Sequence, residues 1–154
     1  MNQNTVSGDM IALKLRQLKA DQIEMIHSNM YFVSFTLEDG TPVSYVFNIT
    51  KGEKYFLQRM RPYAMVSGKF ADANEIVEFI RNDITMFRNA ANSKNFPSFL
   101  ETLDAGMDVL REIEMLFLSH NVSPEALHEI KEHLKEAEKQ IQAVGAQADR
   151  VHLP

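Results

Sequence analysis

The chain has 154 residues and no cysteine, which excludes disulfides, thiolate catalysis and cysteine-bound zinc or iron–sulfur clusters. Its net charge of −5 argues against a general nucleic-acid binder, because neutralising phosphates requires a basic surface. The polar start resembles no signal peptide, and no apolar run reaches the length of a membrane span. We therefore expect a cytosolic protein with one domain over residues 9–145, a flexible tail over 1–8 and an extension over 146–154.

The first half of the chain changes from a helical to a two-residue period. Asp9 through His27 places apolar residues at helical spacing among charged ones, which predicts an amphipathic helix ending at Ser28 and Asn29. Alternation then predicts two strands that form a hairpin. Their apolar positions are Tyr31, Val33, Phe35 and Leu37, and then Val43, Tyr45, Phe47 and Ile49.

The register of this hairpin follows from its apolar positions. A two-residue turn at Asp39 and Gly40 would scatter them over both faces of the sheet. A three-residue loop over residues 38–40 places all of them on one face, and it puts Gly40 at the left-handed position of the loop. This loop predicts that Phe35 pairs with Val43, Val33 with Tyr45 and Tyr31 with Phe47, with one apolar face against helices and one polar face outward.

The segment from Thr50 to Phe70 fits two structures. A capping box of Thr50 with Glu53 and the helical spacing of Phe56, Met60 and Tyr63 favour a short helix. The alternating Tyr55, Leu57 and Arg59 would equally suit a third strand. We expect a turn at Ser67 and Gly68, with Ala64 to Val66 as a short strand.

Three helices are predicted in the second half. Asp72 and Glu75 form a capping box for the first, which ends near Asn92. Ser98 is expected to cap the second, which carries the most apolar residues and is predicted to be the most buried. Ser123 and Pro124 begin the third. The predicted fold is α+β, with an N-terminal helix and an antiparallel hairpin, with or without a third short strand, packed on a C-terminal bundle of three helices.

The last helix carries an apolar stripe in which spacings of three and four alternate, as in a coiled coil. So narrow a stripe suits packing against one or two other helices rather than burial in a core. We expect the protein to self-associate here. The predicted interface residues are Leu127, Ile130, Leu134, Ile141 and Val144.

Two clusters on the last helices could support chemistry, but each has a simpler explanation. Glu125 and His128 have a spacing found in di-iron bundles, yet a second copy of the motif is missing. Asp108 can approach Glu112 or Arg111, and an intrahelical ion pair on a solvated face explains it better than paired catalytic carboxylates. The serines lack a nucleophile elbow and the glycines form no phosphate loop. We therefore expect no enzyme activity, no metal and no cofactor.

A basic, aromatic segment lies between Lys51 and Lys69. It holds five basic residues against one acidic residue, Glu53, and so carries a net charge of +4. Such a segment can bind an anion or an acidic partner. The alternative is that it pairs with the protein's own acidic helices. The candidate binding residues are Lys54, Tyr55, Arg59, Arg61 and Tyr63.

These patterns favour a non-enzymatic adaptor or assembly protein that binds another protein and self-associates through its last helix. Neither a membrane nor a nucleic acid is expected as a partner. A second hypothesis is a regulatory domain that binds a small molecule or anion through residues 51–69. A third, weaker one is a metal-dependent enzyme that uses the final helices.

Overall fold

The computed structural model describes residues 3–50 and 55–151. Within these ranges the chain forms an antiparallel sheet in the order β1-β2-β3-β4 together with four helices, which confirms the α+β class. The elements are α1 (Gln3–Gln17), β1 (Ser28–Thr36), β2 (Pro42–Thr50), β3 (Tyr55–Arg61), β4 (Met65–Phe70), α2 (Ala73–Ala91), α3 (Phe96–Ser119) and α4 (Pro124–Gln147).

The β1–β2 hairpin has the predicted register. Its pairs are Phe35 with Val43, Val33 with Tyr45 and Tyr31 with Phe47. The loop between the strands is closed by the Leu37 N–H, which donates to the Thr41 carbonyl at 2.9 Å. Gly40 has a φ of 85°, the left-handed conformation that glycine adopts at little cost.

The outward face of the hairpin is less polar than predicted. Met30 and Phe32 project from it and are 71% and 68% exposed, beside Ser34 and Asn48. The alternation decides which residues share a face, whereas it does not require the second face to be polar.

Residues 55–61 form a strand, so the favoured short helix is wrong. Tyr55 pairs with Ile49, and Leu57 pairs with Phe47, because β2 has a free edge that β3 completes. The predicted turn at Ser67 and Gly68 instead lies within β4, beside a register shift. The predicted capping box of Thr50 with Glu53 lies outside the described residues, since Glu53 is not described.

The capping box of α2 is confirmed. The Asp72 carboxylate accepts the N–H groups of Asn74 and Glu75 at 2.7 and 3.1 Å, and Glu75 accepts the Ala71 N–H at 2.7 Å. The apolar side of α2 packs on β3 and β4. The buried core combines one face of the sheet, α2 and the start of α3, and consists of Leu37, Val43, Tyr45, Leu57, Ile76, Ile84, Phe87 and Phe96.

The remaining helical surface lies outside this core. Helix α1 ends at Gln17, so the predicted helix over 9–27 is wrong beyond that point. Helix α3 begins at Phe96, two residues before the predicted cap Ser98, and Phe96 is its one buried residue, so the prediction that it is the most buried helix is wrong. In α4, which is described throughout, no residue is buried. The sheet and α2 already enclose the core, and only the first turns of α3 reach it.

Candidate functional site

Helices α3 and α4 form a helical hairpin with an open cleft between them. Ser123 caps α4 by accepting the Ala126 N–H at 3.2 Å. Ile113 of α3 and Ile130 of α4 are half-buried and line the same cavity. This cavity of about 520 Å³ separates the two helices and is lined by Asp108, Val109, Glu112, Ile113, Leu116, Ile130, His133 and Leu134. The hairpin therefore leaves much of its apolar surface uncovered.

The predicted interface residues divide along α4. Leu127 and Ile130 are half-buried, whereas Leu134, Ile141 and Val144 are exposed, Ile141 to 73%. On the polar face of α4, the charged residues form intrahelical ion pairs between Lys135 and Glu132, at 2.7 Å, and between Lys139 and Glu136, at 3.7 Å.

Helix α3 adds further exposed apolar residues to the hairpin. Leu110 is 68% exposed, and Phe117, seven residues later and therefore on the same face, is 59% exposed. Val109, Met115 and Leu118 are exposed as well. Contiguous exposed apolar surface typically marks an interaction site.

A buried polar cluster joins the sheet to α2. The Arg59 guanidinium donates from Nη1 to both carboxylate oxygens of Asp83 at 2.8 Å, and the Tyr45 hydroxyl donates to the same carboxylate at 2.7 Å. The Arg59 guanidinium also lies 4.3 Å from the ring centre of Tyr63 and 4.8 Å from that of Phe87. The pKa of the Tyr45 hydroxyl is raised above its ordinary value, mainly by burial and to a smaller extent by the hydrogen bond to Asp83.

The structure separates the predicted anion-binding residues. Arg59 is only 4% exposed and pairs with α2, and Tyr63 packs on it. Arg61 lies on the outer face of the sheet, while Tyr55 lines a groove on the inner face. Lys54 lies outside the described residues. The alternative interpretation, in which the segment pairs with an acidic residue of the same chain, therefore fits Arg59.

The groove beside α2 was not evident from the sequence. Its cavity of about 490 Å³ lies between α2 and the inner face of the first three strands, and most of its lining is apolar. Alternation and helical spacing identified the two apolar faces separately. How far one face covers the other depends on the tertiary packing of α2.

The acidic cluster on α3 that the sequence singles out is an ion pair in the structure. Asp108 and Arg111 form the expected intrahelical ion pair, at 2.7 Å and well exposed. Residues 3–50 and 55–151 bring together no group of three or more histidine, aspartate or glutamate side chains that could hold a metal ion. No helix in these same ranges has the length and apolar character of a membrane span.

No known protein family, curated protein or solved structure matches this chain.

Proposed function

We propose that this protein is a non-enzymatic adaptor or assembly protein that binds other proteins and self-associates through the α3–α4 hairpin. The observation that carries the proposal is the exposure of the apolar stripe of α4 from Leu134 to Val144. The stripe continues without a break past the point where α3 covers it. A cytosolic location remains a prediction from the sequence.

The dimensions of the hairpin suit an interface between two copies. Each helix has 24 residues, and at about 1.5 Å per residue each is about 36 Å long. Two such helices, each about 10 Å wide, present about 700 Å² to a partner, close to the roughly 800 Å² per partner of a stable interface. Two hairpins packed together would form a four-helix bundle, which encloses the apolar stripes that one hairpin leaves open.

The charges on α4 are compatible with this arrangement. Acidic and basic residues alternate along its polar face and pair within the helix, as Glu132 does with Lys135. A partner helix on the apolar stripe therefore leaves these charges in water and avoids the cost of burying an ion pair. The contact would depend mainly on apolar burial and only weakly on salt.

The test replaces both Leu134 and Ile141 with Glu and measures the association state by sedimentation. We expect the wild type to form a dimer or a larger assembly, and the variant to sediment as a monomer in which the sheet and α2 still unfold cooperatively in urea. Neither side chain belongs to the core, so the substitutions should not unfold the domain.

The matched control replaces Ala143 and Ala146 with Glu. These exposed residues lie on the side of α4 opposite the stripe, and the pair adds the same two negative charges. We expect the control to associate as the wild type does. A wild type that stays monomeric at high concentration would refute the proposal, and so would equal loss of association in the two variants.

A further inference from the structure

The inner face of the sheet is only half covered by a helix. Four strands at about 4.8 Å spacing span roughly 19 Å, whereas one helix with its side chains spans about 10 Å. Helix α2 packs on β3 and β4, and beside it the inner face of β1 and β2 is covered only in part: Val43 and Tyr45 are fully buried, whereas Val33, Phe35, Phe47 and Ile49 stay half-buried. The floor of the resulting groove consists of Val33, Phe35, Phe47, Ile49 and Tyr55.

One wall of the groove combines apolar and basic residues. Val77, Arg81, Ile84 and Arg88 follow one another along α2 at spacings of four, three and four, so they form one ridge. Arg81 forms an ion pair with Glu78 on the helix surface. Arg88 has no hydrogen-bond or ion-pair partner within residues 3–50 and 55–151.

The charge in this groove is of one sign. Strands β1 and β2 contain no charged residue, and the two guanidinium groups of Arg81 and Arg88 are the charged groups that line the described cavity. The protein as a whole has a net charge of −5. The charged residues at the rim of this groove are therefore basic, although the protein as a whole is acidic.

We propose that this groove binds a fatty acid, with its alkyl chain on the sheet and its carboxylate at Arg88. Ligand cavities commonly measure about 300 to 1,000 Å³ and combine a mostly apolar lining with a few polar groups, as this one does at about 490 Å³. A guanidinium can form two parallel hydrogen bonds with one carboxylate. The segment of α2 from Ala73 to Arg88 provides a wall about 22 Å long at 1.5 Å per residue.

Helix α1 is a less suitable occupant than a fatty acid. Helix α1, from this chain or a second copy, carries Lys14 and Arg16 against one acidic residue, Asp9. It would bring basic residues to a basic rim. The fatty-acid proposal rests on different residues from those of self-association, so either can fail without the other.

The experiment titrates the full-length chain with dodecanoate by calorimetry. We expect saturable binding of one ligand per chain. Arg88→Glu should weaken binding at least tenfold, because the carboxylate then meets a like charge. Arg150→Glu is the control, since Arg150 is exposed, lies outside the groove and undergoes the same change of charge. Equal losses in the two variants would show a general charge effect and overturn the proposal.

A second variant tests the position of the alkyl chain. Val77 is 53% exposed on the groove wall, so Val77→Trp should fill the cavity and reduce binding at least tenfold. Unchanged binding by a folded Val77→Trp variant would refute the site.

Chemical shifts of the wild type locate the ligand without any substitution. We expect dodecanoate to perturb Val33, Phe47 and Ile80. Perturbations confined to α3 and α4 would instead mean that the ligand coats the exposed hairpin. Displacement of dodecanoate by a peptide of residues 3–17 would identify α1 as the occupant, and each of these two results would overturn the proposal.

Discussion

The buried pair of Arg59 and Asp83 should behave as one unit in a double-mutant cycle. Asp83→Leu leaves a guanidinium that is 4% exposed without its carboxylate, and arginine cannot lose its proton to escape the penalty. Removal of one partner of a buried ion pair costs about 3 to 5 kcal/mol. Because small domains have about 5 to 15 kcal/mol of stability in total, this loss is a large part of the whole.

The double variant Arg59→Met with Asp83→Leu should be more stable than the single changes suggest. It removes both charges and leaves mainly the Tyr45 hydroxyl without its acceptor, at about 1 to 3 kcal/mol. We therefore expect the double loss to fall at least about 3 kcal/mol below the sum of the single losses. Urea denaturation followed by circular dichroism measures all three values.

The exposed pair of Asp108 and Arg111 is the internal control. Its side chains are 68% and 71% exposed, and Asp108→Asn should cost about 0.5 kcal/mol or less. A cost below about 1 kcal/mol for Asp83→Leu would refute this reasoning. A double variant that loses the full sum of the two single losses would refute it as well.

Three further predictions concern individual residues. Above pH 10 the wild type should lose stability relative to Tyr45→Phe. The raised pKa keeps the Tyr45 proton on the folded wild type, whereas the unfolded chain releases it, so the free energy of unfolding of the wild type falls by up to about 1.4 kcal/mol per pH unit. Urea titrations from pH 8 to 11 test this, and parallel profiles would contradict it. Gly40→Ala should reduce the free energy of unfolding by about 1 kcal/mol and lower the melting temperature, because Gly40 has a positive φ. Gly106→Ala should raise the free energy of unfolding by about 0.5 to 1 kcal/mol, because Gly106 lies in a helix with open space around it. Leu57→Ala should cost about 2 to 5 kcal/mol in a urea titration, because Leu57 lies in the core, and a loss below 1 kcal/mol would contradict that placement.

The sequence predicts the β1–β2 hairpin in detail because its information is local. The alternating apolar residues admit one register that keeps them together, and Gly40 supplies the loop conformation that this register needs. Strand β3 was ambiguous because Phe56 and Met60 fit a helix while Tyr55 and Leu57 fit a strand. The free edge of β2 decides between them, and that edge is a tertiary feature.

The sequence contains one indication of the buried cluster of Tyr45, Arg59 and Asp83. Asp83 lies four residues from both Phe79 and Phe87, on the apolar stripe of α2, where a carboxylate requires a partner. The basic segment 51–69 offered several partners, and nothing local distinguished Arg59 from Arg61. Regular alternation would put both arginines on one face, but a register shift between the β2 pairing partners Ser44 and Tyr45 breaks it. Arg59 therefore points toward α2, while Arg61 lies on the outer side.

The burial of α3 could not be predicted from its apolar residues alone. Periodicity shows that Leu110 and Phe117 share a face, but not which element covers that face. The apolar side of α2 and the sheet enclose most of the core, and α3 contributes to it only through residues at its start, such as Phe96 and Leu100. Because the sheet and α2 already enclose the core, most of the α3–α4 hairpin lies outside it.

The stability of α4 must therefore come from sources other than the core. Its helix is supported by the Ser123 cap, by ion pairs such as Lys135 with Glu132, and by half-buried contacts on Leu127 and Ile130. Isolated helices in water are marginal, and exposed ion pairs each contribute only about 0.3 to 0.5 kcal/mol. Association through the apolar stripe would add the apolar burial that α4 lacks. Its helicity should consequently depend on protein concentration, while the sheet and α2, which enclose their own core, should not.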